Sequence, residues 1–90
     1  MLSSETLACR VCGLALLEPP WGNDGRTPTY DICGCCGVEF GYEDCTAEST
    51  RRYRQAWMHA GCQWFDPGAR PSGWDFVGQL EKIPSAFRLG

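Results

Sequence analysis

Hydrophobic and polar residues alternate over a short segment near the middle of the chain. Val38, Phe40 and Tyr42 occupy every second position, and the positions between and after them hold two glutamates and a glycine. A period of two residues is typical of a strand with one buried face and one face in water. The pattern therefore predicts a short strand over residues 38–42, and residues 29–33 are a second strand candidate.

The pattern becomes helical between residues 46 and 60. Hydrophobic residues recur at the i, i+3, i+4 and i+7 spacing and so form one stripe: Tyr53, Ala56, Trp57 and Ala60. Thr46 can cap the first free amides of such a helix, and Gly61 can take the left-handed conformation at which helices commonly end. We expect the stripe to pack on the core and three polar residues to lie away from it: Arg51, Arg54 and Gln55.

The last part of the chain, residues 62–90, is interrupted by prolines and glycines and is predicted to wrap around this helix. Within it, residues 74–83 are a second helix candidate, which Pro84 would end. The hydrophobic side of this short helix would carry Trp74, Val77 and Leu80. We expect the small core to include four aromatic side chains: Trp57, Trp64, Phe65 and Trp74.

The chain has 90 residues, a length that supports a single domain over residues 1–90. A domain of this size buries only about 60 to 65% of the surface that its unfolded chain exposes, so it often depends on a metal or on disulfides. Its first residues lack the pattern of a secretory signal, and it contains no run of about 18 hydrophobic residues that could span a membrane. We therefore expect a cytoplasmic protein, in a reducing compartment where clustered cysteines indicate metal binding or catalysis.

Four of the seven cysteines form two matching Cys-x-x-Cys-Gly motifs. The first knuckle spans residues 9–13, and the second knuckle spans residues 33–37. Two residues between cysteines let a tight turn direct both sulfurs at one point, and the following glycine can take the positive φ that closes the turn. The spacing between the motifs lies at the edge of the range for a four-cysteine zinc site. The pattern therefore predicts one structural Zn²⁺ bound by four thiolates: Cys9, Cys12, Cys33 and Cys36.

The predicted fold is a small metal-stabilised α+β domain of the zinc-ribbon type. In it, the two knuckles and short antiparallel strands are closed by one main helix and by the C-terminal segment. Zinc is favoured over iron because a closed structural site is all that this architecture requires. A rubredoxin-like iron centre uses the same four thiolates, and it would make the protein an electron carrier.

Three cysteines and the single histidine remain outside the two motifs. Cys35 lies between the predicted ligands of the second knuckle, and its side chain should point away from the metal. Cys45 and Cys62 flank the predicted main helix, about 20 Å apart, which is too far for one tetrahedral site. We interpret them as free or packed thiols and His59 as a solvated helix residue, with a second metal site as the alternative.

Little in the sequence indicates catalysis. A nucleophilic cysteine needs a nearby base, and nothing places His59 beside Cys35. A metal enclosed by four thiolates has no position left to activate water. Glu39 and Glu43 are expected on the outer face of the predicted strand, where carboxylates ordinarily serve solubility. We therefore predict that the protein is not an enzyme.

The formal net charge is −3, and four thiolates around one divalent cation would lower it by two more. Nucleic-acid affinity comes mainly from Lys and Arg, so this charge disfavours a nucleic-acid-binding zinc ribbon, although Arg51, Arg52 and Arg54 form a basic run. The acidic charge and the abundant aromatic residues, which are enriched in interface hot spots, favour a basic protein partner. We predict a protein-binding module, such as an immunity or adaptor protein, with nucleic-acid binding as the alternative.

The second half of the chain carries a more specific pattern. The segments YDICGCCGVEFGYEDC, YRQAWMHAGCQWF and PSGWDFVGQLEKI, together with the N-terminal Cys-x-x-Cys-Gly, resemble the small bacterial cysteine-rich proteins of the CPCC type. The resemblance covers nearly the whole chain and implies a zinc-ribbon-like fold with the four motif cysteines as metal ligands. The chain departs from that pattern at Gly34, where those proteins usually have proline, and it has Cys45 and Cys62 in addition.

Overall fold

A computed structural model describes residues 5–88 of the chain. Its helical elements are two α-helices and two short 3₁₀ segments: α1 (Ala47–His59), Pro67–Ala69, α2 (Phe76–Leu80) and Ser85–Phe87. Within residues 5–88 every helix is too short or too polar to cross a bilayer. The predicted domain 1–90 and the predicted wrap 62–90 extend at their ends to residues 1–4 and 89–90, which lie outside the described residues.

The predicted strands are not found among the described residues, which contain only isolated antiparallel bridges. Ile32 pairs with Glu39, so the segments 29–33 and 38–42 do meet, but they do so at a single bridge. The backbone leaves the extended conformation at Tyr30, with φ +64, and at Gly41, with φ +98. The β part of the predicted α+β zinc ribbon is therefore not confirmed, and the fold is a compact arrangement of loops and helices.

The turn at Gly41 also corrects one expected core residue. Val38 and Phe40 are buried as the alternation predicts, but Tyr42 is 66% exposed. A Cβ at position 41 would lie 2.6 Å from Cβ of Pro28, so only glycine fits there in this conformation. Because the strand pattern ends at this turn, the periodicity no longer determines the side on which residue 42 lies.

The helix predicted over residues 46–60 lies at Ala47–His59 and begins with a capping box. The Ser49 amide donates to Thr46 Oγ1 at 3.0 Å, and the Thr46 amide donates to Ser49 Oγ at 3.3 Å. The chain leaves the helix through Gly61, which has φ +99. Local sequence signals therefore set both ends of α1.

The buried face of α1 differs from the predicted stripe. The fully buried positions are Thr50, Arg54 and Trp57, whereas Ala56 and Ala60 are exposed. The expectation that Arg54 lies away from the core was wrong: its side chain is 3% exposed. The hydrophobic pattern therefore predicted the helix but not its full buried face, because two of its inward positions are polar.

Arg54 is buried because its guanidinium meets three backbone carbonyls. Nε donates to the Val11 carbonyl at 2.6 Å, and one terminal nitrogen donates to the carbonyls of Arg10 and Phe87. Buried carbonyls require donors, and a planar guanidinium supplies several in a fixed geometry. Arg54 thus joins α1 to the first knuckle and to the C-terminal segment.

The aromatic core lies between α1 and the C-terminal segment. Trp57 and Trp64 are buried, Trp74 and Phe76 are half-buried, and the Trp64 and Trp74 rings meet edge to face at 5.3 Å. Phe65 was predicted to join this core, but it is 62% exposed. The aromatic contacts therefore involve these two tryptophans together with Trp57 and Phe76.

The second predicted helix is shorter than expected. It spans Phe76–Leu80, begins after the Asp75 cap, and ends before residue 83. Val77, which was expected on the packed side, is 64% exposed, and Phe76 is the residue that contacts the core. In so short a helix, the packing of Trp74 and Phe76 on neighbouring rings sets its rotation.

Replacement of Arg54 by methionine should destabilise the fold by about 3 kcal/mol, because three backbone carbonyls lose their donor. The control is Arg51→Met on the exposed side of α1, which should change the free energy of unfolding by no more than about 0.5 kcal/mol. Urea denaturation of the metal-loaded protein measures both. Equal losses in the two variants would contradict the structural role of Arg54.

Candidate metal centre

The structure brings the four motif cysteines together. One ligand atom from each of these residues lies within 4.8 Å of all the others: Cys9, Cys12, Cys33 and Cys36. All four side chains are buried, and the most exposed of them, Cys36, is 6% exposed. Four buried thiols at this distance are a candidate metal centre.

The first knuckle is built by two backbone hydrogen bonds. The Cys9 amide donates to the Leu14 carbonyl at 2.9 Å, and the Gly13 amide donates to the Cys9 carbonyl at 3.0 Å. An isolated antiparallel bridge between Ala8 and Ala15 flanks this turn. The turn therefore directs both cysteine side chains of the motif to the same side.

The second knuckle repeats this arrangement at equivalent positions. The Cys33 amide donates to the Val38 carbonyl at 2.9 Å, and the Gly37 amide donates to the Cys33 carbonyl at 2.9 Å. The bridge between Ile32 and Glu39 flanks it as the other bridge flanks the first knuckle. The same short motif thus produces the same turn twice.

The glycine that closes each turn has the positive φ expected of it, +84 at Gly13 and +82 at Gly37. A Cβ at Gly13 would collide with the carbonyl oxygen of Gln79, and one at Gly37 would lie 3.1 Å from the Phe65 ring. The C-terminal part of the chain therefore packs directly on both knuckles. Phe65, although largely exposed, covers the second knuckle on one side.

The closest sulfurs belong to different knuckles. The Sγ atoms of Cys9 and Cys36 are 3.7 Å apart, and those of Cys12 and Cys33 are also 3.7 Å apart. A disulfide would need about 2.05 Å, whereas a tetrahedral ion with metal–sulfur bonds of about 2.3 Å separates its sulfurs by about 3.8 Å. The spacing fits four thiolates around one ion.

The hydrogen bonds among the thiols favour a thiolate at one of them. Hydrogen bonding from the Cys12 thiol lowers the pKa of Cys33, and the same hydrogen bond raises the pKa of Cys12. The deprotonated sulfur is the form that binds a metal.

The positively charged Arg54 lies against the first knuckle. Four thiolates with one divalent cation carry a net charge of −2, and a buried charge needs a partner. The guanidinium donates to the carbonyls of Arg10 and Val11, the two residues between the cysteines of the first knuckle. Burial lowers the pKa of Arg54, while the neighbouring thiols of the cluster oppose this shift.

The hydrophobic pattern does not identify Arg54, because it places this residue, like Arg51, away from the stripe. The signal that could have identified Arg54 is its helical spacing from Trp57, which places the two side chains on the same face of α1. Thr50, Arg54 and Trp57 follow the same i, i+4, i+7 spacing as the hydrophobic stripe, displaced by a few positions.

The remaining cysteines lie outside the four-sulfur cluster. Cys35 is buried beside it, Cys45 is exposed and donates to the Gly41 carbonyl at 3.3 Å, and Cys62 is half-buried. His59 is exposed at the end of α1, as expected. Among residues 5–88, the four motif cysteines are the one group of at least three His, Cys, Asp or Glu residues placed to share an ion.

Asp44 is the one buried carboxylate among residues 5–88. It is fully buried, and its carboxylate accepts from Trp21 Nε1 at 2.8 Å and from the Gly41 amide at 2.8 Å. Arg10 donates to the Asp44 carbonyl and stacks between the rings of Trp21 and Phe87. Asp44 and Arg10 therefore fasten the loop around residue 21 to the first knuckle.

Comparison with known proteins yields two bacterial relatives. "Uncharacterized protein YozI" of Bacillus subtilis (strain 168) is 29% identical over 98 residues, which cover 91% of this chain and 70% of the relative. "Uncharacterized protein YoaQ" of the same organism is 42% identical over 38 residues, 41% of this chain and 32% of the relative. The second match thus spans about a third of that protein.

No family model and no solved structure matches the chain. The resemblance to the CPCC type therefore stays a prediction. The chain is a small cysteine-rich protein whose four clustered thiols lie at metal-binding distance.

Substitution of one predicted ligand from each knuckle tests the metal centre. Cys9→Ser and Cys36→Ser should each lower the metal content from about one ion per chain to a small fraction, because a tetrahedral thiolate site loses a ligand. The control Cys45→Ser removes an exposed thiol outside the cluster and should retain the metal. Elemental analysis of the purified variants decides, and full metal content in Cys9→Ser would contradict the assignment.

Proposed function

We propose that the chain is a small cytoplasmic zinc-binding module in which one Zn²⁺ is structural, and that it acts by binding another protein. The buried cluster of four thiols carries the first part of this proposal. Four-cysteine sites enclosed by protein are the common form of structural zinc sites. The free thiols also fit a reducing compartment, where disulfides are rare.

Zinc is the ion that this site suits best. Iron in four thiolates would fit the same distances, but an electron carrier usually benefits from a site close to the surface. Here three of the four sulfur-bearing residues have no exposed surface. This burial favours a redox-inactive ion that stabilises the fold.

A catalytic role is not part of this proposal. A site with four protein ligands leaves no coordination position for water or substrate. The buried carboxylate of Asp44 already accepts hydrogen bonds from Trp21 and Gly41. His59 is exposed on α1, whereas Cys35 is buried in the core, so no base accompanies that thiol.

Protein isolated without added metal should be colourless and should contain about one zinc ion per chain. Lowering the pH should release the zinc, because protons compete with the metal for four thiolates, and raising the pH should restore binding. Elemental analysis together with titration in the presence of a colorimetric chelator measures this. A red protein with iron as its main metal would contradict the proposal in favour of the electron-carrier alternative.

An exposed hydrophobic groove supports the proposed protein partner. It has a volume of about 570 Å³ and lies between the segments that follow the first knuckle and precede the second. Leu17, which is fully exposed, and Ile32, which is 50% exposed, lie at its edge, and the buried Phe40 also lines it. A fully exposed leucine beside other hydrophobic residues is a common feature of interaction surfaces.

The charge around this groove defines the chemistry of the partner. Glu18 and Asp31 line the groove itself. Between residues 18 and 48 the chain holds seven acidic residues and a single basic one, Arg26. A segment with a bulky hydrophobic side chain flanked by Lys or Arg would complement both the groove and its rim. Masking such a basic partner corresponds to an immunity or adaptor role.

Nucleic-acid binding remains the second candidate, but the basic run of α1 supports it poorly. Arg54 is buried and bonded to backbone carbonyls, and Arg52 pairs with Glu48 at 2.9 Å. Arg51 is the member of the run that is exposed without an ion pair among the described residues. A strong dependence of affinity on counterion release needs several free cations.

Selection from a phage-displayed library of random linear peptides tests the groove. The zinc-loaded protein should enrich peptides that combine Lys or Arg with a bulky hydrophobic residue. Leu17→Asp and Ile32→Asp should each weaken binding of such a peptide by more than about tenfold, because the hydrophobic contact is lost.

The matched control is Val77→Asp, which adds the same charge at a similarly exposed hydrophobic residue outside the groove. It should leave the affinity unchanged. Enrichment of acidic peptides, or equal losses in all three variants, would contradict the groove as the docking site. Binding of DNA or RNA that falls steeply with salt would favour the nucleic-acid alternative.

A further inference from the structure

The carbonyls between the two cysteines of the second knuckle are bound by a distant part of the backbone. The Asp66 amide donates to the Gly34 carbonyl at 2.9 Å. The Phe65 amide donates to the Cys35 carbonyl, also at 2.9 Å. The segment after α1 therefore holds this turn at both residues that separate its two ligands.

The equivalent carbonyls of the first knuckle belong to Arg10 and Val11, and a side chain binds them instead. Arg54 Nε donates to the Val11 carbonyl at 2.6 Å, and one terminal nitrogen donates to the Arg10 carbonyl at 2.9 Å. No backbone amide among residues 5–88 donates to either carbonyl. One guanidinium thus occupies the place that two amides occupy in the second knuckle.

These two carbonyls belong to peptide groups that connect the predicted ligands. Because a peptide group is planar, a donor that fixes its carbonyl also fixes the orientation of the whole group. Two of the three peptide groups between Cys9 and Cys12 are held in this way. The donors of a guanidinium have a fixed planar geometry, so Arg54 holds both groups in one relative orientation.

Arg54 is itself fixed within the core. Its side chain is 3% exposed, and the terminal nitrogen that binds the Arg10 carbonyl also donates to the Phe87 carbonyl. A long side chain that is already ordered contributes its hydrogen bonds without a further loss of freedom. The guanidinium is therefore a fixed support on which the first knuckle forms.

We propose that Arg54 is a positioning residue of the metal centre, which holds the first knuckle in the conformation that presents Cys9 and Cys12 to the ion. The inference rests on the proposed four-thiolate site. Ligands that are ordered in advance bind more tightly, because less freedom is lost when the ion arrives. The role depends on the geometry of the guanidinium donors, and the positive charge alone does not supply it.

Amide hydrogen exchange compares the two knuckles within one molecule. The Gly13 amide bonds to the Cys9 carbonyl at 3.0 Å, and the Gly37 amide bonds to the Cys33 carbonyl at 2.9 Å, so Gly37 is a matched internal control. Excess zinc keeps the chain folded, and exchange then reports local opening. Under these conditions Arg54→Met should speed exchange at Gly13 by about tenfold and leave Gly37 unchanged, because the first knuckle alone loses its donor.

Arg54→Lys separates donor geometry from charge. Lysine keeps the positive charge, but its ammonium lacks the planar fork that spans two carbonyls. It should speed exchange at Gly13 nearly as much as Arg54→Met does. Both variants should bind zinc at least about tenfold more weakly than the unaltered protein in competition with a chelator. Arg51→Met, on the exposed side of α1, should change neither quantity. If Arg54→Met does not fold, Arg54→Lys supplies both comparisons.

Equal acceleration at Gly13 and Gly37 would overturn the proposed role, since Arg54 would then act on the stability of the whole fold and not on the first knuckle. Full recovery of slow exchange and zinc affinity in Arg54→Lys would also overturn it, because charge would then suffice. Either result leaves the four-thiolate site intact. If the unaltered protein binds no ion, that site itself fails, and this inference fails with it.

Discussion

The contact between the two knuckles is the constraint on which the rest of this small protein depends. Cys9 meets Cys36 and Cys12 meets Cys33, each at 3.7 Å, so each close pair joins the two turns. The described residues contain no sheet that could hold these segments together, only single bridges within each turn. A bound ion would bring together two segments that the backbone hydrogen bonds leave separate. The fold is therefore an arrangement of loops around a cluster of sulfurs.

The other elements support this cluster in different ways. Arg54 of α1 bonds to the carbonyls of the first knuckle and places a positive charge beside the thiols. Gln79 of α2 reaches Cys12 and Cys35, and the Phe65 ring covers Gly37. The two α-helices thus supply hydrogen-bond donors to the turns, and the segment between them supplies the aromatic ring that covers the second turn.

The positions of charged and exposed hydrophobic side chains connect this architecture to the proposed function. The basic groups near the core are engaged: Arg54 bonds to carbonyls, and Arg10 stacks between Trp21 and Phe87. Two exposed acidic residues, Glu18 and Asp31, line the groove at Leu17 and Ile32. This acidic, partly hydrophobic surface supports the proposed binding of a basic protein segment.

The sequence by itself determined the local features of the molecule. The two Cys-x-x-Cys-Gly turns, the positive φ of their glycines and the ends of α1 follow from short motifs, because the hydrogen bonds that define them join residues close in sequence. The tertiary structure alone decided that Arg54 is buried, that Tyr42 and Phe65 are exposed, and that Gln79 reaches Cys35. These outcomes depend on partners far apart in the chain, such as the Arg54 bond to Val11 across 43 positions. The periodicity of hydrophobic residues predicts which face of a local element is buried. It does not predict a hydrogen bond between a side chain and a carbonyl far away in the sequence.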